Sequence, residues 1–158
     1  IYWHFKDKVD VLHAIADENY LPNEELLEHM SGQEFDNPID AMRQISKERM
    51  DEIMWNRDRR RVFIILTQLC EYVSGMEPLI ERHETCKERM YERLHKLLSQ
   101  AHKKGKLAPM WKPDTATYAL QHLILGFVFE EMEYPDPCKK RDAKRHASMN
   151  AFYDALSA

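Results

Sequence analysis

Residues 77–104 decide the fold class, and they read EPLIERHETCKERMYERLHKLLSQAHKK. Along this stretch one set of side chains recurs at spacings of three and four: Leu79, His83, Cys86, Met90, Leu94, Leu97 and Ala101. That period places the set on one face of an α-helix. Lys103, Lys104 and Gly105 supply the basic last turn and the terminating glycine that helices favour. The pattern therefore predicts a long amphipathic helix from about Glu77 to Lys104.

In the rest of the chain, glycines and prolines likewise mark where helices end and begin. Three of the four glycines fall between periodic segments, and several prolines stand where a helix can begin. Pro22 interrupts the first periodic segment, because proline lacks an amide and clashes with the preceding turn, so we expect a kink or a break there. Besides residues 77–104, the predicted helices cover about 7 to 30, 38 onward, 62 to near 73, 113 to about 132, and 139 to 157.

Two details refine this all-α prediction. Residues 57–61 form a charged corner, and the apolar run from Val62 to Leu66 is too continuous for a one-faced helix, which predicts burial on several sides. A short buried strand is the alternative for that run, although the surrounding helices disfavour it. In the last helix a stripe of alanines at every fourth residue predicts close approach of another helix, through Ala143, Ala147, Ala151 and Ala155.

Composition places the chain among single-domain helical proteins. Its 158 residues include 44% hydrophobic and 32% charged residues, with a formal net charge of −4. No run of eighteen apolar residues occurs, so no membrane span is expected. Three cysteines without a CxxC pattern favour reduced thiols and a cytoplasmic location. We find no nucleophile–base arrangement, phosphate loop or catalytic carboxylate pair, which predicts a protein that is not an enzyme and has no cofactor.

The first eight residues, Ile1-Tyr2-Trp3-His4-Phe5-Lys6-Asp7-Lys8, carry donors suited to phosphate oxygens. Asp7 is a good helix N-cap, and Asp10 three residues later resembles a capping box. A helix that starts here aims backbone amides at an anion, with Lys8 beside them. Phe5 is expected to pack into the core.

This string resembles the end of the helix-turn-helix in TetR-family repressors, where Tyr-x-His-Phe-x-(Asp/Asn)-Lys closes the DNA-reading head. It looks most like the AcrR-type branch, which represses multidrug efflux pumps. The likeness extends along the chain, to residues 59–61, 70–73, 123–127 and to Tyr134-Pro135. It implies a TetR-type helical bundle for effector binding and dimerisation.

By that resemblance, residues 1–8 are the end of a truncated DNA-binding head, and residues 9–158 are the effector-binding and dimerisation domain. The implied DNA contacts are Tyr2, Trp3, His4 and Lys8. The implied partners are operator DNA for the full-length protein, a small hydrophobic or cationic effector, and a second copy of the chain. The implied dimer interface lies at Gly126, Phe127, Ala143, Ala147, Ala151 and Ala155.

An effector pocket needs an apolar lining with a few polar groups. The resemblance and the inward helix faces together suggest Asn19, Tyr20, Met42, Ile45, Thr67, Cys86, Met90, Gln121, Ile124, Leu125 and Val128. For most of these apolar residues a plain core role competes with ligand contact. Gln121 is more telling, because a polar side chain buried in an apolar helix costs about 1–3 kcal/mol without a partner. A ligand or water would relieve that cost.

The sequence departs from the branch at Pro22, in the helix that joins head to pocket, and at Glu131 or Met132, where a tryptophan is common. Two alternatives to an effector-responsive repressor stay open. One is a metal- or redox-responsive regulator that uses His83, Cys86 and Cys70, since His83 and Cys86 lie one turn apart. The other is a helical dimerisation protein without DNA binding.

Overall fold

The computed structural model describes residues 5–30, 33–69 and 74–158. Within these ranges it contains α-helices, one π-helical turn and one isolated β-bridge, which confirms the all-α prediction. The elements in chain order are α1 (Lys8–Asp17), α2 (Pro22–Met30), α3 (Pro38–Trp55), α4 (Arg57–Ile64), the π-helical turn (Ile65–Leu69), α5 (Glu77–Lys103), α6 (Pro113–Met132) and α7 (Lys139–Leu156). None of these helices is long and apolar enough to cross a membrane.

The first predicted helix is two helices, α1 and α2. The Asp7 carboxylate caps α1 by accepting the amides of Val9 at 2.8 Å and Asp10 at 3.1 Å. The chain then turns over residues 18–21, and α2 begins at Pro22. The Glu24 carboxylate accepts the Leu21 amide at 2.8 Å, which is one half of a capping box. Pro22 therefore stands in the first turn of a second helix. Its missing backbone N–H is tolerated there, because first-turn N–H groups have no partner within the helix.

Asn56 alone connects α3 to α4. Its amide donates to the carbonyl of Glu52 at the end of α3, and its side-chain oxygen accepts the Arg59 amide at 3.1 Å at the start of α4. The predicted charged corner at residues 57–61 is therefore wrong, because these residues form the first turns of α4. Over the apolar run from Val62 to Leu66 the backbone is α-helical and then π-helical, so the strand alternative fails.

The last three helices follow their predicted ranges closely. Helix α5 ends one residue before the prediction, α6 has the predicted ends, and α7 ends at Leu156. Helix α5 packs against α6, α2 and α3, and α3 packs against α2, α4, α5, α6 and α7. These two helices therefore connect most of the bundle.

The described residues form two separate hydrophobic clusters. The larger one lies among α3, α5, α6 and α7 and contains most of the methionines. The smaller one joins α1 to the π-helical turn and to the start of α5, through Leu12, Ala16, Leu21, Leu66, Met76 and Leu79. Burial of each leucine stabilises the fold by about 1.5–3 kcal/mol, so the attachment of α1 rests on a few side chains.

Candidate functional site: the cleft between α2 and α5

A cleft of about 700 Å³ lies between α2 and the amino-terminal half of α5. Its walls combine apolar side chains, carboxylates and guanidinium groups, and its lining residues are Tyr20, Glu24, Leu27, Glu28, Pro78, Glu81, Arg82, Thr85, Cys86 and Arg89. The volume is in the range of small-molecule sites, which are concave and mostly apolar with a few polar groups. Tyr20 stands at the turn before α2 with 53% of its surface exposed.

Arg82 connects this cleft to three helices. From α5, its Nε and Nη2 donate to the two carboxylate oxygens of Glu24 in α2, both at 2.6 Å. Its Nη1 donates to the Ala16 carbonyl at 2.8 Å, and Nη2 also donates to the Asn19 carbonyl at 3.0 Å. These two carbonyls belong to the carboxyl end of α1 and the turn that follows. The Asn19 side chain bonds back to the Ile15 carbonyl at 2.7 Å, which closes the same helix end.

The ion pair is held in its charged form. Burial by itself would raise the pKa of Glu24, but hydrogen bonds from Arg82 and Leu21, together with the Arg82 charge, lower that pKa below its ordinary value. The hydrogen bond to Glu24 raises the pKa of Arg82 in turn. An arginine that binds a carboxylate through two parallel bonds is geometrically specific as well as charged.

Cys86 forms part of the cleft wall as a neutral thiol. It is 4% exposed, and burial raises the pKa of its thiol to about 11, with the Glu24 charge adding to the effect. A thiol that stays protonated at neutral pH is a poor nucleophile and a poor metal ligand.

Among the predicted effector residues, only Tyr20 and Cys86 line this cleft. Several of the others are buried in the larger core, namely Met42, Met90, Ile124 and Val128, and Ile45 packs against it. Thr67 donates its hydroxyl to the Phe63 carbonyl at 2.6 Å, and Leu125 is half-buried on α6. These positions stay predictions.

Gln121 finds its partner inside the protein. Its side-chain nitrogen donates to the Lys87 carbonyl of α5 at 2.8 Å. The expected cost of an unpaired amide is therefore offset without a ligand, and Gln121 acts as a polar contact between α5 and α6.

Sequence reasoning missed Arg82 and Glu24, which organise the cleft. Arg82 stands one turn before Cys86 in α5, and Glu24 lies 58 residues earlier. Charged residues are abundant in both segments, so no local pattern distinguishes this pair.

At the amino end, Tyr2, Trp3 and His4 lie outside the described residues. Lys8 is the exposed first residue of α1. The amides of Val9 and Asp10 are already bonded to Asp7, so they do not point at an external anion as the sequence suggested. Phe5 is 37% exposed, which contradicts its expected place in the core. The reason is that α1 begins three residues later and turns Leu12 and Ala16 inward instead.

The face predicted for dimerisation is open in this chain. Gly126 of α6 and the four alanines of the α7 stripe are exposed, and Phe127 is half-buried. Next to them on α6, Tyr118 and Phe129 are also exposed, although both are large and aromatic. An apolar helical face of this kind is typical of an interface between proteins.

The described residues hold one group with metal-ligand composition: Asp51 of α3 with Asp142 and His146 of α7. Arg145 already donates to both carboxylates, at 3.1 Å to Asp51, and the His146 Nε2 lies 2.8 Å from Asp51. The group therefore forms an ion-pair network between α3 and α7. His83 and Cys86 are not part of it.

The buried Arg60 links α4 to the carboxyl end of α6. It donates to the Glu131 carbonyl and, at 2.6 Å, to the Tyr134 carbonyl, and its Nη1 lies 3.5 Å from the Glu131 carboxylate. Arg141 of α7 bonds the same carboxylate at 2.9 Å. Glu131, at the end of α6, thus joins α4, α6 and α7.

The chain matches a known class of regulator. The family model described as MAATS-type transcriptional repressor, C-terminal region, matches residues 37–136, which is more than half of the chain. The chain therefore belongs to the TetR family of transcriptional regulators, in its AcrR-like branch.

Two curated relatives are regulators of this kind. The chain is 30% identical over 130 residues to the HTH-type transcriptional repressor BepR of Brucella suis, covering 82% of this chain and 62% of BepR. It is 21% identical over 136 residues to the HTH-type transcriptional regulator TtgR of Pseudomonas putida, covering 86% of this chain and 65% of TtgR. The chain thus spans less than two thirds of the length of these relatives.

Solved structures agree on the fold. The crystal structure of NalD, the secondary repressor of the MexAB-OprM multidrug efflux pump in Pseudomonas aeruginosa, superposes with a TM-score of 0.75 at 24% identity. The match covers 99% of this chain and 78% of NalD. A SmeT–triclosan complex superposes with a TM-score of 0.73 at 24% identity, over 99% of this chain and 74% of SmeT.

Proposed function

We propose that this chain is the effector-binding and dimerisation body of a transcriptional repressor that controls an efflux pump operon. The observation that carries the proposal is the match of residues 37–136 to the C-terminal region of MAATS-type repressors. In the full-length protein, a dimer places two recognition helices in successive major grooves of operator DNA, at a spacing that the dimer fixes. A small molecule bound in the body then weakens operator binding.

The cleft between α2 and α5 is the proposed effector site. It is large enough for a small molecule and borders the ion pair that touches α1. Triclosan in the SmeT complex is a small, largely apolar molecule, and it gives a first probe for this cleft.

The charges of the cleft favour a hydrophobic or cationic effector. Glu24 and Arg82 neutralise one another, so the remaining charges of the lining are the exposed carboxylates of Glu28 and Glu81 and one exposed guanidinium, that of Arg89. The exposed Tyr20 ring offers a face for an organic cation, an interaction worth about 0.5–1 kcal/mol at exposed sites. Leu27 and Pro78 supply apolar walls.

The test measures operator affinity by fluorescence anisotropy with the full-length protein, using DNA from upstream of its own gene and of adjacent transporter genes. Triclosan and the lipophilic cation tetraphenylphosphonium are titrated separately. We expect at least one of them to weaken operator binding about fivefold or more, the usual lower range of allosteric coupling. Operator binding should also weaken steeply with salt, because phosphate contacts release counterions.

A cleft-filling variant locates the effector. Thr85 is an exposed residue of the cleft wall, so Thr85→Trp should block the response, while Thr85→Val, which adds little volume, should keep it. A full response in Thr85→Trp would show that the effector binds outside this cleft. Absence of operator binding by the full-length protein would overturn the repressor proposal itself.

A further inference from the structure

The Arg82 side chain joins both walls of the cleft to the end of α1. It binds Glu24 of α2 in a bidentate pair and also donates to the carbonyls of Ala16 and Asn19. Carbonyls at a helix end lack partners within the helix and carry partial negative charge, so a cation is favourable there. Four hydrogen bonds from one guanidinium thus fix α1, α2 and α5 relative to one another.

The opposite end of α1 begins at Lys8, directly after the segment that resembles the end of a DNA-binding head. Helix α1 has ten residues, which corresponds to a length of about 15 Å. Helix α1 is otherwise attached by the small hydrophobic cluster, which is separate from the larger core, and by a hydrogen bond between His13 Nε2 and the Gly75 carbonyl at 2.9 Å. Because α1 is a single short helix, a change in position of its carboxyl end also moves its amino end.

We infer that Arg82 is the positioning residue that couples occupancy of the cleft to the orientation of α1. A molecule in the cleft lies against the Arg82–Glu24 pair, because both residues form its wall. Displacement of that pair moves or releases the two carbonyls that Arg82 holds. The inference rests on the proposed function and adds the residue through which the signal passes.

Arg82→Gln tests the inference, with Arg61→Gln as the control. Arg61 has the same side chain, is exposed on α4 and does not line the cleft. In Arg82→Gln we expect the operator affinities with and without saturating effector to become equal to within about twofold. Because Arg82 lines the cleft, the effector concentration that saturates the variant is measured by isothermal titration calorimetry, and the comparison is made above it. Arg61→Gln should keep the wild-type response.

Arg82→Lys separates charge from geometry. Lysine keeps the charge but cannot form the bidentate pair and both carbonyl bonds together, so the response should fall between those of the wild type and Arg82→Gln. A wild-type response in Arg82→Gln would overturn the inference and leave the proposed function intact. No response in the wild type would overturn both.

Hydrogen exchange on the wild-type protein gives a test that needs no variant. Saturation with triclosan or tetraphenylphosphonium, whichever weakens operator binding, should raise amide exchange at residues 16–20 while exchange in α7 stays constant. Unchanged exchange at residues 16–20 under those conditions would contradict the coupling role of Arg82. This readout also covers the case in which Arg82→Gln does not fold.

Discussion

At the scale of single residues, the two described cysteines differ in the state of their thiols. Burial raises the pKa of Cys86 to about 11. The pKa of Cys138 is lowered, because backbone amides of Arg141 and Lys140 at the start of α7 stabilise its thiolate. A redox or metal response through Cys86 would need a thiolate that burial disfavours.

This difference predicts the order of alkylation. With iodoacetamide at pH 7.5, Cys138 should react first, and Cys86 should gain reactivity only as the pH approaches about 11, since a raised pKa delays thiolate formation. Peptide mass spectrometry assigns each site. Equal labelling of Cys138 and Cys86 at pH 7.5 would contradict the predicted order. A denatured sample serves as the control, because it gives the reactivity of each thiol without the fold.

Arg60 carries the second prediction at this scale. It is 1% exposed and pairs with the buried Glu131, so its removal leaves that carboxylate with Arg141 alone and takes the guanidinium away from the carbonyls of Glu131 and Tyr134. Arg60→Met should reduce the free energy of unfolding by roughly 3–5 kcal/mol, measured by denaturant titration. The neighbouring exposed Arg61→Met should change it by only about 0.5 kcal/mol. Equal losses of unfolding free energy in the two variants would show that the buried network around Arg60 does not stabilise the junction of α4, α6 and α7.

At the scale of elements, the sequence predicts the bounds of a helix well when the residues that set those bounds lie within the helix itself. The ends of α6 follow from Pro113 and from a continuous apolar centre, both visible in the local sequence. The π-helical turn at Ile65–Leu69 depends on a shift of backbone hydrogen bonds, and apolar side chains alone do not encode that shift. Asn56 ends one helix and begins the next, so a single polar residue replaced the predicted corner.

The attachment of α1 gives a prediction at this scale. Gly75 has φ +94°, and a Cβ there would lie 3.3 Å from a methyl group of Val9 in α1. Gly105 also has positive φ, at +66°, but a Cβ there meets open space. Gly105→Ala should cost about 1–2 kcal/mol from the backbone alone, and Gly75→Ala should cost more because α1 must also move.

Thermal unfolding followed by circular dichroism compares the two glycine variants. A double-mutant cycle with Val9→Ala should recover part of the extra cost in Gly75→Ala and none in Gly105→Ala. If the cost of Val9→Ala adds to that of each glycine variant without any recovery, the contact between residue 75 and α1 makes no contribution to the stability loss.

At the scale of the whole molecule, the sequence predicted the helical body, but not the pair of Arg82 and Glu24 that borders the cleft between α2 and α5. Periodicity and punctuation specify helices locally, and the amino-terminal string together with residues 59–61 and 123–127 resembled the family to which the chain belongs. The cleft depends on contacts between Arg82 and residues 58 to 66 positions away, which only the packed structure brings together. Methionines that suit either a pocket or a core were placed in the core by the approach of α3, α5 and α6.

The open face of α6 and α7 carries the last prediction. A close helix–helix interface needs small residues, and Ala147 lies exposed in the middle of the alanine stripe on α7. Ala147→Arg would place a long, charged side chain at that contact, so sedimentation velocity should show a shift from dimer to monomer at micromolar concentration. Glu88→Arg, on the exposed surface of α5, introduces the same side chain elsewhere and should leave the dimer intact. In the proposed repressor two heads at a fixed spacing bind the operator together, so Ala147→Arg in the full-length protein should also weaken operator binding, while its effector affinity stays unchanged. A dimer that survives Ala147→Arg would place the interface on another face of the bundle.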